Sequence, residues 1–377
     1  MNVPALVLGA ILGAVIGAPL RALVRPHIAW LEKRSRRTWK VDPLIQHCEC
    51  VLHAPNIAVG YIGTLVTACM MVLSKVACGV ERRMLVVTGP SGNVGAELTD
   101  LLCSRTMGSW RVASRRPELM ADRVAASGGQ SVRFDFFDSS TWSAALEGIR
   151  ELFLLFPLPG NKAARTAILP FLQAAEKAGC RHVVYVSVFG ADKAGFIPHH
   201  KIEQALFKSS MTWTVLRCSF FMQNLFRSIS THGEDIARRG ELFIPAGNGR
   251  TTFIDARDAA AVAVEALLHP GRHHNTVHHL TGPAALTMNE VAESLSVHLG
   301  SAVSYTKPSL PRFAGRLRRR GVGWDSIGFM SAVYSLTRLG LNQPITGDVE
   351  RLLGRPPRTL DDFLADQSWR FAGRSWT

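Results

Sequence analysis

Beyond residue 83, short apolar runs alternate with longer stretches whose apolar residues recur at helical spacing. Leu85-Val86-Val87 predicts a buried strand, and Ala96 to Leu102 a helix with Leu98, Leu101 and Leu102 on its apolar side. Trp110-Arg111-Val112-Ala113-Ser114-Arg115-Arg116 predicts a second strand that ends in two arginines. Val132 to Asp135 predicts a short third strand. Glu151-Leu152-Phe153-Leu154-Leu155-Phe156 predicts a fully buried fourth, stopped by Pro157 and Pro159. A helix from Ala163 to Ala178 is expected to end at Gly179. His182 to Ser187 and Trp213 to Arg217 predict the fifth and sixth strands. Regular alternation of this kind predicts an α/β fold on a doubly wound, mostly parallel sheet. Such sheets bind ligands beyond the C-terminal ends of their strands, which places Gly89, Arg115, Pro157 and Ser187 on one rim.

Residues 1–83 differ from everything after them. Residues 3–20 carry no charge, are rich in Gly, Ala, Leu and Val, and are just long enough to span a bilayer. Arg21, Arg25, Lys33, Arg34, Arg36, Arg37 and Lys40 follow them. No basic residue precedes the run, unlike a secretory signal, and the positive-inside tendency puts the basic segment in the cytoplasm. Residues 51–80 are apolar too but interrupted by His53, Pro55, Asn56 and Lys75. A second span would carry the following domain out of the cell, so a single spanning segment is expected, with the rest of the chain at the cytoplasmic face of a membrane. A second reading stays open. Met84 stands directly before Leu-Val-Val-Thr-Gly, where a free-standing protein of this pattern would begin, which makes the first 83 residues a leader without a part in the chemistry.

Composition narrows the classes. A hydrophobic content of 47% supports a real core and excludes global disorder. The net charge of +14 suits a polyanion, whether nucleic acid, membrane or cofactor. The basic residues do not form one dense stripe with interleaved aromatics; they cluster at 33–40 and at 312–320. Arg316, Arg318, Arg319 and Arg320 are therefore expected on a solvated face, and no nucleic-acid partner is expected. Cys48, Cys50, Cys69 and Cys78 lie in the head. Cys103, Cys180 and Cys218 stand in apolar contexts that point to reduced, intracellular thiols. His47, Cys48 and Cys50 have no second pair at zinc spacing, so no metal site is expected.

The strand at Leu85 runs into Thr88, Gly89, Pro90, Ser91, Gly92, Asn93, Val94 and Gly95. Glycines at this spacing let the chain turn sharply, let a pyrophosphate approach the main chain, and let helix and strand pack closely. The phosphates then rest on unpaired N–H groups at a helix start. The spacing is G-x-x-G-x-x-G rather than the usual G-x-G-x-x-G. At the end of the second strand Arg115 and Arg116 replace the carboxylate that holds an NAD ribose, and they suit a 2′-phosphate, so NADP is expected over NAD. They also fit ordinary solvent-facing arginines before Pro117. Asp135 and Asp138 flank a turn where an adenine edge would sit, while Asp138 with Ser139 and Ser140 equally forms a helix cap.

At this point the chain resembles the NmrA-like branch of the atypical short-chain dehydrogenase/reductases. The resemblance rests on Thr88 to Gly95; Val183-Val184-Tyr185-Val186-Ser187; His199-His200-Lys201-Ile202-Glu203; Thr214 to Arg217 with Phe221-Met222-Gln223-Asn224; and Phe253 to Ala260. Leu280-Thr281-Gly282-Pro283, Glu290-Val291-Ala292 and Gly354-Arg355-Pro356-Pro357 extend it to about Phe371. Cys218 departs from it, standing where the family usually has proline. The resemblance implies an NAD(P)-binding Rossmann domain over 84–285, with 218–250 contributing to a substrate region, and a smaller C-terminal substrate region over 286–377. Some members reduce quinones, imines or enones. Others bind the dinucleotide and act as redox-sensing regulators.

Ordinary short-chain dehydrogenases use a tyrosine with a lysine four residues later. The residues four places after Tyr61, Tyr185, Tyr305 and Tyr334 are Leu65, Phe189, Ser309 and Arg338, so that mechanism is not expected in its standard form. His199 and Glu203 lie one helical turn apart. His199 is the candidate to position a nicotinamide ribose or supply a proton, or else a surface histidine at a helix start. Ser187 is the candidate hydroxyl near the nicotinamide, or else a cap for the next turn. Asp255 and Asp258 are expected to cap and orient the helix after them. Phe220, Phe221, Met222 and Phe226 suit an apolar substrate pocket or simple core. An electron-poor acceptor needs little acid catalysis, so positioning alone would serve. The expected function is an NADPH-dependent reductase of a small apolar substrate. A non-catalytic NADP(H) sensor acting on a regulatory protein partner is the second reading, and a membrane-held enzyme for a lipid-soluble substrate the third.

Overall fold

The alternation of apolar runs and helical stretches becomes a layered sheet because each run is buried on both of its faces. The computed structural model describes residues 84–105, 109–156, 161–226 and 232–371. Its first half runs β1 (Met84–Thr88), α1 (Asn93–Cys103), β2 (Trp110–Ser114), α2 (Ala121–Ala126), β3 (Gln130–Arg133), α3 (Trp142–Leu146), β4 (Ile149–Leu155), α4 (Leu169–Lys177), β5 (His182–Val188), α5 (Pro198–Lys208) and β6 (Thr212–Cys218). There follow β7 (Phe220–Phe221), α6 (His232–Arg239), β8 (Glu241–Leu242), β9 (Arg250–Ile254), α7 (Ala256–Leu268), β10 (Thr276–Leu280), β11 (Ala285–Thr287), α8 (Met288–Leu299) and β12 (Ser304–Tyr305). The last helices are α9 (Leu310–Arg319), α10 (Trp324–Arg338), α11 (Asp348–Leu353) and α12 (Leu360–Gln367).

Seven strands form one parallel sheet in the order β10-β6-β5-β4-β1-β2-β3. The order reverses between β1 and β4, and open parallel sheets have their ligand crevice at such a point, beyond the strand ends. Alternate residues of each strand enter opposite cores. Leu85, Val87, Phe153, Val184, Val186 and Leu216 meet α1 and α7 on one face. Val86, Leu152, Leu154, Val183, Tyr185 and Val215 meet α4 and α5 on the other. A third core joins Met222 and Phe226 to Phe243, Phe253, Phe313 and Phe363 in the later part of the chain.

The expected strands are present, with shifted ends. β10 was not among them: Thr276-Val277-His278-His279-Leu280 is too polar to read as a buried run, and it pairs with β6 at the sheet edge. The helix expected from Ala163 to Ala178 forms, helical from 161 to 177, but it is not α-helical throughout. Ala164–Ile168 is a π-helical segment and α4 starts at Leu169. Pro170 explains the π stretch, since it has no N–H to give to a carbonyl one turn earlier. Arg111 is buried in β2, where its guanidinium donates to the carbonyls of Ala144, Ala145 and Glu147 and caps the end of α3.

The arginine face of α9 also differs from expectation. Arg318 and Arg319 are exposed, but Arg316 and Arg320 turn inward to the buried Asp235, at 2.9 and 2.6 Å, and Arg316 lies over the Phe243 ring. A carboxylate that is 1% exposed needs such partners, and the sequence separation hides them. Asp255 caps α7 as expected by accepting from the Arg257 N–H at 2.8 Å. Asp258 does not cap. It holds Arg355 and the side chain and N–H of Arg358, tying the late segment to α7. No helix among the described residues is long and apolar enough to cross a membrane, and the segment expected to do so, 3–20, lies outside them.

Candidate functional site

The glycine turn sits at the crevice. Gly89 has φ +62°, a conformation that glycine adopts without strain. A Cβ on Gly95 would stand 2.1 Å from the Gly89 carbonyl oxygen, so only glycine lets α1 pack this close to β1. Gly92 is the N-cap of α1 and no side chain caps it, nor does an acidic residue stand in the first turn. The turn therefore presents a positive helix end to whatever occupies the crevice. Thr88 lies beneath it, fully buried. Its hydroxyl donates to the Phe153 carbonyl at 2.9 Å and accepts from the Leu155 N–H at 3.2 Å, joining β1 to β4 at the point of reversal. Val94 is buried in the core below, and Ser91 is exposed at the tip. Asn93 donates to Asn224 Oδ1 at 2.9 Å, which brings the turn after β7 against the glycine loop.

Arg115 and Arg116 follow β2 directly and both are exposed; no carboxylate among the described residues pairs with either. They stand at the strand end where a 2′-phosphate would be met. Asp135 is half-buried, with its carboxylate accepting from the Phe137 N–H at 3.0 Å. Asp138 caps the turn over Ser139–Thr141 by accepting from the Ser140 N–H. Pro157 lies outside the described residues.

The end of β5 carries the other half of the site. Ser187 is 1% exposed and donates to Glu203 Oε1 at 2.6 Å. Glu203, on α5, also accepts from Arg217 of β6 through Nε at 3.1 Å and through a terminal nitrogen at 2.7 Å. Asp192 at 3.3 Å and His279 at 3.4 Å complete the surroundings of that guanidinium. The Ser187 proton is thus committed, and the hydroxyl offers only lone pairs to a ligand. It does not cap the next turn. His199 is not on the surface either. Its ring is buried against Phe156, Tyr185 and Phe329, with centroids 5.2, 6.3 and 6.0 Å away. Burial pushes its pKa down to about 4, so it is neutral near pH 7 and suits positioning better than storage of a proton.

Buried histidines recur elsewhere. His182, His232 and His278 are each also held near about 4, chiefly by burial. An unfolded histidine titrates near about 6.5. Between these values the unfolded chain binds more protons than the folded one. Stability is therefore full above about pH 6.5 and falls as the pH drops toward 4. Urea unfolding at pH 7.5, 6.0 and 5.0 should show a steadily lower midpoint, and a constant midpoint would contradict the burial of these rings.

Several contacts of the site carry no local signal, even where their residues lie in the motifs above. Glu203 and Arg217 are an ion pair that only the packing of α5 on β5 and β6 creates. Phe329 reaches His199 from α10, which lies 130 residues further on in sequence. Asn224 ends the Phe221-Met222-Gln223-Asn224 motif and Phe156 a predicted strand, but neither has a spacing that marks it as a site residue. Met222 and Phe226 are core, while Phe220 and Phe221 are half-buried. Cys103, Cys180 and Cys218 are free, and burial pushes the Cys180 thiol up to about 12. Among the described residues no group of three or more His, Cys, Asp or Glu is arranged to hold a metal; His47, Cys48 and Cys50 lie outside them.

The family model described as NmrA-like matches residues 81–314. An NAD(P)H azoreductase of Xenophilus azovorans is 32% identical over 284 residues, covering 74% of this chain and 96% of the relative. Among solved structures, Escherichia coli NADPH-dependent quinone oxidoreductase QOR2 in complex with NADPH aligns with a TM-score of 0.62 at 23% identity, over 76% of this chain and 99% of that one. The negative transcriptional regulator NmrA in complex with NADP aligns at 0.59 and 14% identity, over 78% of this chain and 99% of that one. The parallel sheet reversing at a glycine turn is thus the Rossmann architecture of a known group, and the chain belongs to the NmrA-like family.

Proposed function

We propose that this chain is an NADPH-dependent oxidoreductase that reduces a small, apolar, electron-poor substrate such as a quinone, an imine or an enone. The observation that carries the reading is the uncapped α1 start behind Gly89, Gly92 and Gly95, placed at the sheet reversal with Arg115 and Arg116 at the next strand end. These residues fit a dinucleotide. Gly89, Ser91, Gly92, Asn93 and Gly95 would hold its diphosphate above the buried Thr88 and Val94 side chains, Arg115 and Arg116 its 2′-phosphate, and Asp135 would border the adenine. When bound, NADPH supplies a hydride. The azoreductase and quinone oxidoreductase relatives support this chemistry.

The protein's own part is to orient and to exclude water. Ser187, its proton held by Glu203, accepts a hydrogen bond from a donor at the nicotinamide end. His199, neutral and flanked by aromatic rings, walls the acceptor side. Neither is an acid of ordinary strength, which suits acceptors whose charge is already delocalised. The test is substrate-dependent NADPH oxidation by the full-length chain across quinones, imines and enones. Absence of turnover, with tight and unequal binding of NADP and NADPH, would make the chain a redox sensor instead.

Arg115→Ala should weaken NADP by about tenfold and leave NAD unchanged, the value of one charge-assisted bond near about 1.5 kcal/mol. Calorimetry with both dinucleotides reads this directly, and an equal loss for NAD would refute the 2′-phosphate contact.

A further inference from the structure

The later part of the chain holds a cavity of about 790 Å³ that the proposed reaction does not use. Three segments close it: the turn before β9, the turn between β12 and α9, and the loop that leaves α10. Phe329, which touches His199, stands nine residues before Arg338 at the cavity, about 13 Å back along α10. The charges that line the cavity have one sign. Arg250, Lys307 and Arg338 reach it, and no carboxylate among the described residues does. Arg250 is already neutralised by Glu290, through two contacts of 3.1 Å. The Lys307 ammonium donates to the neutral Asn248 Oδ1 at 2.9 Å. Neither Lys307 nor Arg338 pairs with a carboxylate among the described residues.

Both cations are placed by the backbone. The Arg338 stem lies across Gly247, where a Cβ would stand 3.2 Å from its Cγ. Lys307 has φ +45°, and Asn275 is the other non-glycine residue with positive φ among the described residues. Asparagine tolerates that conformation; lysine holds it against strain, and such strain gathers at ligand sites. The cavity also meets the negative end of α10 at Arg338 and the positive end of α9 at Ser309. Each end carries about half a charge, so the two cancel and two full positive charges remain. The other groups are small and polar. Asn248 gives its oxygen to Lys307 and keeps its amide hydrogens for a ligand, while Ser309 and Gln343 add a hydroxyl and a second amide. No aromatic ring among the described residues lines the cavity, so a nucleobase would find nothing to stack on.

We propose that this cavity binds a free phosphorylated sugar or polyol. Lys307 and Arg338 hold the phosphate, and Asn248, Ser309 and Gln343 meet the hydroxyls. Two cations from separate segments match a dianion, and the arginine fork suits two oxygens of one phosphate. Amides both donate and accept, as hydroxyls require. The volume takes such a ligand whole. The site is separate from the glycine turn, so it fills while the dinucleotide is bound and needs no turnover.

Calorimetry on the full-length chain saturated with NADP+ is the test, because the cofactor then occupies the other phosphate-binding turn. Glucose 6-phosphate should bind one to one, and glucose should not bind. Inorganic phosphate and butyl phosphate should bind about tenfold more weakly, for want of the hydroxyls. Lys307→Asn and Arg338→Gln should each weaken glucose 6-phosphate by about tenfold, as for one lost charge-assisted bond. Arg319→Gln, exposed on α9 and outside the cavity, should leave its affinity unchanged. The melting temperature of Lys307→Asn should stay at the wild-type value or rise, because asparagine suits the left-handed backbone; this separates lost binding from misfolding. No binding of glucose 6-phosphate to wild type would overturn the inference. So would equal affinity for butyl phosphate, unchanged affinity in both cavity variants, or the same loss in Arg319→Gln.

Discussion

Gly95→Ala should abolish NADPH binding and lower the melting temperature by several degrees. The added Cβ would lie 2.1 Å from the Gly89 oxygen, 2.9 Å from its carbon and 3.3 Å from Pro90 Cα. All three are backbone atoms, so no side chain can swing aside. Gly89 is itself committed to a φ of +62°, so the turn cannot relax without losing its shape. Helix α1 must instead move off β1, at a cost of about 1–3 kcal/mol or more. The movement also takes the N–H groups at its start away from the crevice. Gly92→Ala is the comparison. Its Cβ would meet mainly Leu155 Cδ2, at 2.4 Å, the far end of a flexible side chain. Its stability should fall much less. Fluorescence titration of NADPH and thermal unfolding of both variants decide the matter. Wild-type affinity in Gly95→Ala would remove the dinucleotide from this turn.

Arg217→Met should be the most destabilising single change in the site, costing about 3–5 kcal/mol. It leaves the Glu203 carboxylate, 0% exposed, with only the Ser187 hydroxyl to stabilise its charge. The double variant Arg217→Met with Glu203→Leu should recover much of that loss, because an apolar pair of similar volume removes the uncompensated charge along with its partner. Both variants free the Ser187 hydroxyl or unsettle its acceptor, so catalysis should stay impaired where stability returns. Urea denaturation measures the first effect and NADPH oxidation the second. Additive losses in the double variant would mean that the two residues act independently, against the bidentate geometry at 3.1 and 2.7 Å.

These expectations differ in how early they become visible. The glycines at 89, 92 and 95 announce themselves by spacing, and the strand before them by three consecutive apolar residues. Their separate duties do not: which of them turns the chain and which admits the helix is decided by where β4 places Leu155 and where Gly89 aims its carbonyl. Ser187 and His199 stand out as polar residues at a strand end and a helix start. The partners that determine what they can do, Glu203 and Tyr185, look like an ordinary helix carboxylate and a core aromatic until the two elements are packed. Arg316 and Arg320 invert the lesson, since charged residues at the end of a polar helix read as solvated yet neutralise Asp235 inside the protein.

Local pattern determined the class of architecture, the order of most strands along the chain and the position of the glycine turn, because backbone periodicity and glycine conformation act over a few residues. Only tertiary packing decided that Ser187 gives its proton to Glu203, that His199 is buried and neutral, that Pro170 leaves a π segment ahead of its helix, and that β10 closes the sheet edge. Those outcomes depend on contacts between residues far apart in the chain and on the loss of water around them, and neither is encoded in the spacing of neighbours.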